Sequence, residues 1–98
     1  MIDIQKITRL LAIAEKAIEV DGFVRDVRFY SDALGAGYAD FKEKHDLARI
    51  EPDMPEWSEM MLATKDDYNN REAAKRHLRN AQRRLETAIR QYRLAGTA

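Results

Sequence analysis

The sequence predicts an all-α protein, a long helical hairpin or a small helical bundle that oligomerisation completes. Three observations lead there. Apolar residues recur every three or four positions over most of the 98 residues. Two prolines and four glycines are too few turn residues for a β protein. A charged fraction of 35% beside an apolar fraction of 45% suits helices with one packed and one solvated side. A chain of this length forms one domain, residues 1–98, and its limited core gains from a second copy.

The first helical arm is expected over about residues 4–49. Asp3 is placed as its N-cap, where a carboxylate accepts from the first backbone N–H groups. Ile2 and Ile7 then take the two positions of a hydrophobic staple. Ile4, Ile7, Leu11, Ala14 and Ile18 form one apolar row, and Leu10, Ile13, Ala17 and Val20 form a second. A single neighbouring helix does not cover both rows, so Ile7, Leu11 and Ile18 are expected at or near an oligomer interface. Residues 23–30 are rich in Val, Phe and Tyr, but the adjacent pairs Phe23-Val24 and Phe29-Tyr30 break strand alternation. Phe23, Val27, Tyr30, Leu34, Tyr38, Phe41 and His45 fit a helical stripe instead. Asp21-Gly22 is a turn signal, and Gly35 and Gly37 each cost about 1 kcal/mol in a helix relative to Ala. The arm is therefore expected to break near 22 or 35–37, or else its glycines admit another backbone at close range.

Residues 51–55 form the expected loop, since Pro52 disfavours helix at Glu51 and Pro55 suits the first turn of a new helix. The second arm is expected over about 56–94. Ala74, Leu78, Ala81, Leu85, Ala88 and Tyr92 alternate spacings of four and three, the seam of a coiled coil. Trp57, Met61, Thr64 and Tyr68 continue a similar stripe backwards. Gly96 stands at a C-cap position, and Arg90 and Arg93 favour the negative end of the helix dipole.

Chemistry-bearing motifs are not found. Without cysteine there is no disulfide or thiolate site. Met1-Ile2-Asp3-Ile4 does not open a secretory signal, and no apolar run approaches the roughly 20 residues of a membrane span. A cytoplasmic protein with no membrane partner is expected. Gly35-Ala36-Gly37 lacks the third glycine and the strand–turn–helix setting of a dinucleotide fingerprint, and neither His45 nor His77 stands in a metal motif. Ser31 and Ser58 have no nucleophile elbow. The expectation is a non-enzyme with no catalytic residues, cofactor or metal. Trp57-Ser58-Glu59 lacks the glycine of the secreted WXG100 hairpins, so the chain is not assigned to that family.

Charge is the remaining signal. Net charge is zero, yet residues 71–93 hold eight Lys/Arg against Glu72 and Glu86, an excess of +6 that the rest of the chain balances. Such asymmetry marks an anionic partner, or two segments that neutralise each other. Arg76, Arg79, Arg83 and Arg90 share one stripe opposite Ala74, Leu78, Ala81 and Leu85, and guanidinium suits bidentate contact with carboxylate or phosphate. Glu72 and Glu86 lie in the same stripe, spaced to pair with Arg76 and Arg90. Acidic residues from Asp40 to Asp67 surround the loop, as a negative docking tip or as solubilising surface. The favoured reading is a helical protein–protein interaction module, of the accessory or inhibitor kind found among phage and mobile-element proteins. Its partner is another protein with an acidic surface, met by Arg76, Arg79, Arg83 and Arg90. One alternative is nucleic-acid binding by the basic C-terminal helix, against which stand the zero net charge and the lack of interleaved aromatics. A second is a small anionic ligand held between Tyr hydroxyls and Arg side chains at a subunit interface.

Overall fold

The computed structural model describes residues 3–96 and is all-α: α1 (Ile4–Lys44), α2 (Pro55–Ala63) and α3 (Lys65–Gly96). Among the described residues there is no strand, and no helix is long and apolar enough to cross a membrane. The chain packs as two compact units, one of Met1–Arg25 with Lys75–Ala98 and one of Asp26–Ala74. Each is built on antiparallel pairing of α1 with α3, the arrangement of a helical hairpin.

In the first unit the order of contacts sets the antiparallel direction. Glu19 of α1 pairs with Arg84 of α3, and one turn further along Phe23 stacks on His77 with ring centroids 5.6 Å apart. Ala81 lies between these levels and is 0% exposed. Its methyl group is small enough to let the two backbones close on each other. Leu78, Leu85, Ala88 and Tyr92 flank it half-buried, so the heptad-spaced seam of α3 is the packed side. Asp3 caps α1 as the sequence suggests, with its Oδ1 accepting from Lys6 N–H at 3.1 Å. The staple residue Ile2 lies outside the described residues.

The second unit adds α2. Leu34 is 1% exposed, and Met60, Thr64, Ala74 and Ile50 are buried in the same unit. Gly37 accounts for the tightness of this packing. A Cβ built on it would stand 3.1 Å from Thr64 Cγ2, closer than ordinary van der Waals contact. α2 opens on Pro55, whose missing N–H is no loss in a first turn.

Four expectations about boundaries are corrected. α1 does not break near 22 or 35–37 but stays helical through all three glycines, since one packed face offsets a cost of about 1 kcal/mol per glycine. At Gly37 it is the Thr64 side chain that comes close rather than another backbone, while a Cβ at Gly22 or Gly35 would meet nothing within 4 Å. α1 ends at Lys44 rather than near 49. Asp46 adopts φ 53°, Leu47 N–H reaches Lys42 O at 2.9 Å, and Asp46 N–H reaches Glu43 O at 3.1 Å. These two bonds make a Schellman motif with Asp where glycine is usual, and the loop runs over 45–54. The second arm is interrupted at Thr64, whose Oγ1 donates to Met60 O at 2.8 Å, a back-bond of the kind that bends helices. At the far end α3 runs through Gly96, where no left-handed glycine cap forms.

Two stability measurements follow. Gly22→Ala and Gly35→Ala should each raise the unfolding free energy by up to about 1 kcal/mol, whereas Gly37→Ala should gain little or lose, because Thr64 must give way. Urea denaturation of the three variants checks this, and an equal gain at Gly37 would show that no close approach exists there. Asp46→Gly removes the left-handed penalty of an L-residue and should stabilise by about 0.5–1 kcal/mol. A thermal melt that does not move would mean the Asp side chain compensates locally.

Candidate partner-binding surface

α3 carries its charge on the side away from the seam. At 3.6 residues per turn Arg76, Arg79, Arg83 and Arg90 fall within an arc of roughly 60°, opposite Ala74 and Ala81. All four are exposed, and none is in an ion pair among the described residues. The i,i+4 pairs expected along this stripe do not form. Glu72 is engaged by Arg71 at 3.2 Å, and Glu86 does not pair with Arg90. The result is four solvated guanidinium groups on one helix face, each with its full set of donors available to an anion.

Other arginines of α3 serve the fold. Arg84 lies roughly a third of a turn from the stripe, close enough to the seam to reach Glu19 of α1, which also meets Lys16 at 3.8 Å. Arg71 lies over the Tyr68 ring at 5.2 Å from its centroid. The sequence reading left both outside the stripe but gave neither a role in packing. Angular offset from the seam was the available signal.

Some of the acidic residues around the loop meet a basic partner. Arg49 meets Glu51 at 2.8 Å, Lys44 meets Asp40 at 3.0 Å, and His45 stands 3.9 Å from Glu59. Divided by unit, the charges separate cleanly. The first unit holds 11 Lys/Arg against 5 Asp/Glu, and the second holds 6 against 12. One is therefore +6 and the other −6.

Ile7, Leu11 and Ile18 are left uncovered in the first unit. Leu11 is 59% and Ile18 73% exposed, and Ile4 and Ile7 are exposed beside them. Their row faces away from the side where Ile13, Val20 and Phe23 are half-buried. Leu10 and Ala17, expected to share that packed row, are exposed as well, because the α3 seam is narrow.

Both histidines stack on aromatic rings. His45 stacks on Phe41 with centroids 4.0 Å apart, its Nδ1 3.0 Å from Phe41 O, and His77 stacks on Phe23. Among the described residues no group of three His, Cys, Asp or Glu could hold a metal ion. Where α1 begins and α3 ends, the first unit has a cleft of about 660 Å³ lined by Lys6, Arg9, Tyr92 and Arg93, with the Asp3 carboxylate at its edge. A tyrosine and arginines converge here as the anionic-ligand alternative imagines, and they do so within one copy of the chain. No protein-family model matches the chain, and neither a curated protein nor a solved structure is significantly similar to it.

Proposed function

We propose that this chain is a non-enzymatic helical interaction module, an accessory or inhibitor protein that binds an acidic surface of another protein through Arg76, Arg79, Arg83 and Arg90. One observation carries the reading: the four side chains are exposed, unpaired and on a face that the packing of α3 does not use. A residue without a folding role is available for recognition, and guanidinium forks fit carboxylates bidentately. The same module associates with itself through the uncovered residues Ile7, Leu11 and Ile18. The proposed setting is the cytoplasm, where disulfides rarely persist and a cysteine-free chain is at no disadvantage.

Nucleic acid is the rival anion, and Glu86 beside the stripe weighs against it by repelling a continuous phosphate backbone. The two separate in one experiment. Wild-type chain and the Arg79→Glu/Arg83→Glu variant are used to capture partners from a lysate, with and without nuclease. An acidic protein should be retained by wild type regardless of nuclease and lost by the variant, with helicity by circular dichroism unchanged. Each lost hydrogen bond to a charged group should weaken binding by about 1.5–3 kcal/mol. Capture that nuclease abolishes, with affinity falling steeply in salt, would replace this reading with nucleic-acid binding. Equal capture by both proteins would show that the stripe is only solvated surface.

A further inference from the structure

We infer that the uncovered row Ile4–Ile7–Leu11–Ile18 docks on the Asp26–Ala74 unit of a second copy of this chain, with Phe29 of that copy inside the contact. The inference rests on the self-association in the proposed function and names what the row meets. Three observations select the occupant.

The first is apolar surface that needs a cover. Ile4, Ile7, Leu11 and Ile18 are all exposed, and with exposed Ala14 between the last two they repeat at three- and four-residue spacing as one stripe. They lie on the side of α1 away from half-buried Ile13, Val20 and Phe23. Single exposed apolar side chains need no explanation, but a contiguous stripe of four is an interaction surface.

The second is a lone apolar anchor. In the Asp26–Ala74 unit the solvent-facing side of α1, opposite buried Leu34, carries one large apolar residue, Phe29, which is 67% exposed. Asp26, Asp32 and Ala33 stand three and four positions from it on the helix surface, so an exposed aromatic ring sits among carboxylates there.

The third is charge. The row belongs to the +6 unit and Phe29 to the −6 unit. Row against row would bring two +6 units together, whereas row against the Phe29 surface brings opposite charges together. Each copy offers both surfaces, and twofold pairing is the commonest closed symmetry of soluble oligomers.

The test uses complementation with the full chain. Leu11→Glu spoils the row, and Phe29→Lys spoils its docking surface. Both sites are exposed, so helicity should be unchanged, which circular dichroism verifies. Wild type at micromolar concentration should scatter light as twice 11.4 kDa, and each variant alone as a monomer, its self-affinity weakened on the order of a hundredfold by an unpaired charge in the interface. An equimolar mixture of the two variants should recover the dimer, since one contact is then wild type on both sides and the other sets Glu against Lys. A Phe29→Lys variant that still dimerises while Leu11→Glu does not would show row meeting row, overturning this inference and leaving self-association intact. A monomeric wild type would overturn both.

Discussion

Small side chains where α3 meets α1 govern how this protein can be built. Ala81 in the first unit is fully buried and Gly37 in the second leaves room for the Thr64 side chain, and tight packing of this kind is what gives so few buried residues enough dispersion contact to hold each unit together. Leu34 is the only large side chain less than 2% exposed among the described residues. With a core this thin, larger residues at these positions would force the helices apart. The narrowness of the seam also explains what it leaves out, because one alanine-lined strip cannot cover both apolar rows of α1.

The arrangement of charge follows from that division of faces. Once the seam takes Ala74, Leu78, Ala81 and Leu85, helical geometry sends Arg76, Arg79, Arg83 and Arg90 to the opposite side of α3. Arg84, nearer the seam, is drawn to Glu19 instead. The +6 excess of residues 71–93 therefore does two jobs. A small part joins α3 to α1, and the larger part faces solvent. Near the loop, Asp40 and Glu51 find the local partners Lys44 and Arg49.

Chain breaks show how local chemistry and packing share control. Pro52 and Pro55 announce a loop from sequence because a missing N–H and a restricted φ act regardless of context. The glycines of α1 looked like breaks by propensity and are not, since propensity is worth about 1 kcal/mol and a packed helix face is worth more. Thr64 looked like part of a stripe and interrupts the arm, because its hydroxyl prefers the Met60 carbonyl and its methyl group fits against Gly37.

Helical class, the Asp3 cap, the seam of α3 and the outward direction of the arginine stripe were all determined by the sequence, since each depends on spacing along a single helix. The end of α1 at Lys44, the interruption at Thr64, the partner of Arg84 and the cover over each apolar row were decided only in the tertiary structure. Those depend on which residues from distant parts of the chain come within a few ångströms. Periodicity reports that a row such as Ile4–Ile18 is apolar. Which side of α1 the narrow α3 seam occupies determines that this row, and not the one through Ile13 and Val20, is left facing solvent.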